Sequence, residues 1–251
     1  MPSLQLAKRF PLASYDVDFE SKATLQALMR FMDDIAWEHA RELGLGFGEL
    51  AHQDLAWVIA RLKIEIDEYP RWGDTIRVKT WAADKDRLFW YRDFKFYDAE
   101  GRELARAATA SVLINQISRR PHRADNMFNR ILDPQERAFD ENLKKLPSAD
   151  NGKMRCTVEV RYSDLDLNGH VNNVKYMEWL LDSYPLAFHR ENRLVAVEVN
   201  FISEALYGDT VVVHSSTGGR FHLHGILRAS DNRELFRARV AWLKNRLNPG
   251  T

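Results

Sequence analysis

At 251 residues, with 45% hydrophobic and 29% charged side chains, the chain has the composition of a globular protein with a substantial core. Its 36 basic residues balance 36 acidic ones, which excludes the global field of a nucleic-acid binder or of a protein held on an anionic membrane. A single cysteine, Cys156, excludes an intrachain disulfide, and no run approaches the roughly 18 apolar residues of a membrane span. Residues 1–10 carry neither the apolar run of a secretory signal nor an organelle-type leader, so the expected setting is a reducing cytoplasm.

In chain order, Leu12–Phe19 read as a short strand. From Thr24 the apolar residues Leu25, Leu28, Met29, Met32, Ile35 and Ala36, with His39, share one helical face that stops at Leu43-Gly44. Strands are expected at 55–67, 75–82, 88–97 and 103–117, with turns at Tyr69–Asp74 and Ala99–Arg102. Residues 133–152, rich in charge with Pro134 and Pro147, read as a linker between a domain at 1–132 and a second at 153–251.

The second half repeats the order of the first. A strand at 156–162 precedes a helix from Val171 to about Tyr184, followed by strands at 194–202, 210–216, 220–228 and 234–243. Short matches recur in the same sequence: Trp72-Gly-Asp-Thr75 with Tyr207-Gly-Asp-Thr210, Arg102-Glu-Leu104 with Arg233-Glu-Leu235, and Arg106-Ala107 with Arg237-Ala238. Strand, long helix and antiparallel strands, given twice, imply two α+β domains of similar build.

The stretch with the richest chemistry lies where the second half turns from strand to helix. Asp166, Asn168 and His170 stand at i, i+2 and i+4, with Gly169 free to turn the backbone and Asn172 and Asn173 placed to cap the helix. By itself an Asn/Asp/Gly cluster before a helix is most often a cap and a turn. Here it also sets acid–base groups beside backbone donors at a helix N-terminus, around His170 and Val171, where a carbonyl would be polarised.

Residues 162–176, Tyr-Ser-Asp-Leu-Asp-Leu-Asn-Gly-His-Val-Asn-Asn-Val-Lys-Tyr, closely resemble the signature of acyl-acyl-carrier-protein thioesterases, the plant fatty-acid chain terminators and their bacterial relatives. Arg61–Asp74 and Asn115–Arg120 resemble that family's first domain, so the likeness runs from about residue 10 to residue 245. The resemblance implies a double hotdog, an α+β fold of two tandem domains, each a long helix wrapped by an antiparallel sheet. It also implies hydrolysis of fatty acyl-[acyl carrier protein] to free fatty acid, with no cofactor and no metal.

The family's functional Asp, Asn and His carry over onto Asp166, Asn168 and His170, and its further acidic residue onto Glu204. Many plant members have Cys directly after that Glu; this chain has Ala205. Cys156 matches no nucleophile position, so attack by water is the expected chemistry. Glu204 is then the general base or water anchor, and Asn168 orients the same water. Asp166 fixes Asn168 or the local backbone, and His170 contacts the thioester carbonyl or relays protons.

Aligning Tyr15 with Tyr162 sets Phe19, Ser21 and Ala23 against Asp166, Asn168 and His170, so the first domain lacks the constellation and one site per chain is expected. His222 and His224 share a strand face but have no further ligands at zinc spacing. Leu28, Met29, Met32, Trp57, Ile59 and Trp90 are candidates for an acyl slot, and equally for plain core; each buried methylene would add about 0.8 kcal/mol.

The implied partner is an acyl carrier protein bearing a phosphopantetheine-linked acyl chain. Arg119, Arg120, Arg123, Arg130, Lys144 and Lys145 are candidates for docking this acidic protein. Neither nucleic acid nor a membrane is expected as a partner, and the resemblance leaves room for a homodimer. Three other readings stay open: an acyl-CoA thioesterase, a hotdog hydratase or dehydratase, and a non-catalytic acyl-binding module.

Overall fold

The computed structural model describes residues 3–122, 131–134, 136–149, 152–218 and 220–245. The chain divides into two compact units, residues 1–144 and 145–251.

In the first unit five antiparallel strands take the order β1-β3-β4-β5-β2, with β1 at Gln5–Pro11, β2 at Leu55–Ile66, β3 at Thr75–Lys85, β4 at Trp90–Tyr97 and β5 at Glu103–Asn115. Helix α1, Leu25–Glu42, starts where the Thr24 side chain accepts a hydrogen bond from the Ala27 N–H. It packs on β3 and β1 through the face read from its spacing, with Leu28, Met32, Ile35 and His39 almost wholly removed from water. Each such aliphatic side chain contributes about 1.5–3 kcal/mol of burial. A short helix α2, Phe47–Ala51, follows.

The strand expected at Leu12–Phe19 is a correction. The ladder strand lies upstream at Gln5–Pro11, and Ser14–Asp16 form a tight helical turn closed by the Asp16 carboxylate. Apolar alternation at 12–19 reflects side chains lining a turn, and the exposed Tyr15 and Phe19 show that it faces no single core.

The second unit repeats the plan. Its strands are β6 (Lys153–Glu159), β7 (Asn192–Phe201), β8 (Thr210–Gly218), β9 (Phe221–Arg228) and β10 (Glu234–Lys244), in the order β7-β10-β9-β8-β6 and antiparallel. The strand read at 156–162 thus begins and ends three residues early, again because a tight turn, Tyr162–Asp164, follows it. Helix α3, Asn173–Asp182, lays Tyr176 flat on Phe236 of β10 at 5.5 Å and edge-on to Phe201 of β7 at 6.0 Å. A short α4, Leu186–Glu191, precedes β7. Each unit is the α+β hotdog arrangement, a helix laid on an antiparallel sheet.

Both units bury a histidine. His39 is wholly enclosed, its Nδ1 2.9 Å from Arg92 Nη1 and its Nε2 3.1 Å from the Ser3 carbonyl; burial, then the Arg92 charge, pull its pKa down to about 4. His224 of β9 shares the Tyr184 hydroxyl with His222, both at 2.7 Å, while its Nδ1 has no partner. Burial, then the neighbouring His222, bring His224 to about 3. The ordinary histidine value near 6.5 in the unfolded chain lies above both, so the unfolded state takes up protons first. The stabilisation is complete above pH 6.5 and is lost as pH falls toward 3–4. The Asp33 carboxyl, raised to about 7 by burial and then by the Asp34 charge, works in the opposite sense over the same range, so the histidine contribution is read as a difference between proteins. Between pH 7 and pH 5, urea denaturation should show His39→Gln losing about 2 kcal/mol less than the parent protein, and an equal pH dependence in the two would refute this linkage.

Candidate active site

The site is assembled from a loop that must change direction between β6 and α3. Asp164 is buried, and its Oδ2 accepts the Arg161 N–H at 2.8 Å, closing the turn; its carbonyl accepts the Asn172 N–H at 2.8 Å. Between them the loop folds on itself. Asp166 N–H donates to the His170 carbonyl at 2.7 Å, and Gly169 N–H donates to the Asp166 carbonyl at 3.1 Å. Gly169 has φ +74°, a left-handed conformation that costs little without a Cβ. Asp166 Oδ1 accepts two further backbone donors, Asn168 N–H at 2.8 Å and His170 N–H at 3.1 Å. Asn172 then caps α3 by accepting the Val174 N–H at 2.9 Å.

The second half of the site arrives from far along the chain. The backbone of His170 pairs with that of Leu206, and Val171 N–H donates to the Ala205 carbonyl at 3.2 Å. This seam carries Glu204 to His170, with Oε2 3.4 Å from Nε2. Both side chains are partly open to water, at 28% and 36% exposure, so a solvent molecule and a substrate can reach them. Asn168 is exposed, and its amide has no side-chain hydrogen bond among the described residues.

Two supports for Glu204 were not read from the sequence. The buried Tyr176 hydroxyl of α3 accepts the Ala205 N–H at 3.0 Å, and burial raises its pKa to about 12. Arg228 of β9 donates to the Glu204 carbonyl at 2.9 Å while paired with Asp209 at 3.2 Å. The available signal was Tyr176 itself, a hydroxyl on an otherwise apolar helix face, which needs a partner once buried.

One expectation fails. The backbone donors at His170 and Val171, read as an oxyanion site, are already committed to Asp166 Oδ1 and the Ala205 carbonyl. Neither of these two N–H groups is left for an oxyanion. The expected register of the first copy is also corrected. Ala13 N–H donates to Asp16 Oδ2 as Arg161 N–H does to Asp164, and Ala23 N–H donates to the Pro70 carbonyl as Val171 N–H does to Ala205. Asp18, Glu20, Lys22 and Tyr69 therefore stand where Asp166, Asn168, His170 and Glu204 stand. The alignment on Tyr15 missed by one position because side-chain likeness outweighed the bonding pattern.

Cys156 on β6 is half-buried, its thiol raised by burial and by the Asp182 charge, the reverse of an activated nucleophile. His222 and His224 spend a ring nitrogen each on Tyr184. Leu28, Met29 and Met32 belong to the core, whereas Trp57, Ile59 and Trp90 are only half-buried, with Trp57 edge-on to Trp90 at 5.9 Å. Arg119, Arg120 and Lys145 are exposed, as is Lys144 in its pair with Glu141; Arg123 and Arg130 lie outside the described residues.

A Tyr176→Phe protein should lose about 1–3 kcal/mol of stability, because the Ala205 N–H is left buried without an acceptor. Its turnover should fall with it as Glu204 shifts, a loss that steady-state kinetics on the folded protein will read. Unchanged stability and turnover would remove Tyr176 from the support of the site.

No helix among the described residues is long and apolar enough to cross a membrane. A family model for the acyl-ACP thioesterase N-terminal domain matches residues 3–131, and one for the acyl-ACP thioesterase C-terminal domain matches residues 148–244. The chloroplastic palmitoyl-acyl carrier protein thioesterase of Gossypium hirsutum is 30% identical over 263 residues, covering 95% of this chain. The alignment spans 64% of that relative's own length. Among solved structures, an acyl-ACP thioesterase from Bacteroides thetaiotaomicron superposes with a TM-score of 0.86 at 26% identity, covering 95% of this chain and 98% of that one. The 12:0-ACP thioesterase from Umbellularia californica gives 0.85 at 25% identity, covering 98% and 99%. With both family domains matched in order along the chain, this protein belongs to the acyl-ACP thioesterase family.

Proposed function

We propose that this protein hydrolyses the thioester of fatty acyl-[acyl carrier protein], releasing free fatty acid and the carrier thiol and so ending chain elongation. The observation that carries the reading is the approach of Glu204 Oε2 to His170 Nε2 at 3.4 Å, in a loop that also presents the exposed Asn168 amide. In this scheme Glu204 takes a proton from water held by Asn168, and the water oxygen attacks the thioester carbon. The C–S bond breaks, and the proton passes by way of His170 to the departing thiolate. His170 and Asn168 supply the donors for the carbonyl oxygen, since the neighbouring backbone donors are spent. Water rather than cysteine is the nucleophile, in keeping with Ala205 after Glu204 and with a raised Cys156 thiol.

In this reading the first unit binds the acyl chain, supported by the half-buried Trp57 and Trp90 against Leu45, Leu50, Leu55 and Leu113. The exposed cations Arg119, Arg120 and Lys145 suit an acidic carrier, and a cytoplasmic setting suits a chain with one free cysteine. A homodimer accords with this reading.

Thiol release from a panel of acyl-carrier-protein and acyl-CoA substrates tests the assignment; faster turnover of the carrier-protein esters is expected. Product mass separates hydrolysis from hydration. Glu204→Ala and His170→Ala should each lower turnover by about 10²–10⁴-fold while the protein stays folded, the usual contribution of a positioned acid–base group. Near-normal hydrolysis by either folded variant would rule out its role.

A further inference from the structure

We infer that Asp166 is a positioning residue, whose carboxylate folds the loop through backbone donors, and that the groups meeting substrate and water are Asn168, His170 and Glu204. This rests on the thioesterase reading and divides the labour within it.

The warrant is the second copy of the same loop in a unit without the chemistry. Asp18 Oδ1 accepts Glu20 N–H at 2.8 Å and Lys22 N–H at 3.0 Å, against 2.8 and 3.1 Å for Asp166 with Asn168 and His170. Asp18 N–H donates to the Lys22 carbonyl at 2.8 Å, and Ser21 N–H donates to the Asp18 carbonyl at 3.0 Å; both have their match at Asp166. Ser21 takes φ +61° where Gly169 takes +74°. The strand side also corresponds: Asp67 and Glu68 N–H donate to the Leu104 carbonyl as Ile202 and Ser203 N–H do to Leu235, which sets Tyr69 level with Glu204.

At the three remaining positions the copies differ in chemistry. Asn168, His170 and Glu204 stand opposite Glu20, Lys22 and Tyr69, and Lys22 pairs with Glu20 at 2.6 Å instead of presenting an imidazole. The aspartate thus performs the same task whether or not the loop is reactive. A carboxylate committed to two backbone donors holds the adjacent side chains in place; the loop geometry, not a proton on Asp166, is its contribution.

The decisive comparison is Asp166→Asn with Asp166→Ala. Asparagine keeps an oxygen acceptor but neither charge nor proton affinity. Asp166→Asn should therefore keep kcat within about tenfold, the cost of weakening but not losing the two charged hydrogen bonds from Asn168 and His170 N–H, with an unchanged pH profile. Asp166→Ala should lose about 10²-fold, as when reacting groups are misplaced by an ångström. Hydrogen exchange gives an arm independent of activity: the Asn168 and His170 amides should stay protected in Asp166→Asn and exchange fast in Asp166→Ala. The Glu20 and Lys22 amides should do the same in Asp18→Asn and Asp18→Ala. An Asn variant as impaired as the Ala variant with its amides still protected, or one that loses a limb of the pH profile, would overturn the inference. So would protected amides in Asp166→Ala. A chain that hydrolyses no thioester but shows the expected exchange pattern would reject the function while upholding the clamp.

Discussion

A chain that reverses direction between a strand and a helix presents several backbone N–H groups at once, and no local ladder is there to receive them. In this protein one carboxylate in each unit meets that demand. Asp18 and Asp166 each accept two N–H groups from the residues that follow, and a second aspartate, Asp16 or Asp164, closes the turn before them. The register of the seam, the start of the helix and the direction of every side chain between them follow from those bonds. The site is a consequence of how the loop satisfies its own backbone.

That economy limits what the backbone has left to offer. The donors that a helix N-terminus would ordinarily turn toward an anion are used at His170 and Val171 to close the loop and join it to Ala205. On this shared loop the two units carry different side chains at three positions, Asn168, His170 and Glu204 in one and Glu20, Lys22 and Tyr69 in the other.

The opposite wall is held with equal care. Glu204 lies on the exit from β7, where a carboxylate at a strand end would ordinarily be free to move. The Tyr176 hydroxyl and the Arg228 guanidinium grip the single peptide that follows it, the tyrosine from the helix at the Ala205 N–H and the arginine from the sheet at the Glu204 carbonyl. Tyr176 in turn is fixed by stacking on Phe236 and by contact with Phe201. Packing of the second core thereby sets the position of a solvent-facing acid, the step by which burial energy is converted into geometry at a surface.

Much of this was legible in the residues, because local chemistry wrote it. The apolar stripe of α1, the Asn172 cap, the glycine turn at 169 and the strands that alternate against a core all depend on neighbours a few positions away. The repeated Gly-Asp-Thr and Arg-Glu-Leu matches were enough to show two similar units, and the motif from Tyr162 to Tyr176 pointed to the family. What local patterns could not supply was register. The first ladder strand lay at Gln5–Pro11 and not at 12–19, and the two copies aligned on Asp16 and Asp164 and not on their tyrosines, because hydrogen-bond partners distant in sequence decide both. The approach of Glu204 to His170 belongs to the same class. It exists only once the seam of Val171 with Ala205 has formed, and a contact across that separation is decided by the folded backbone, which no side-chain pattern along the chain encodes by itself.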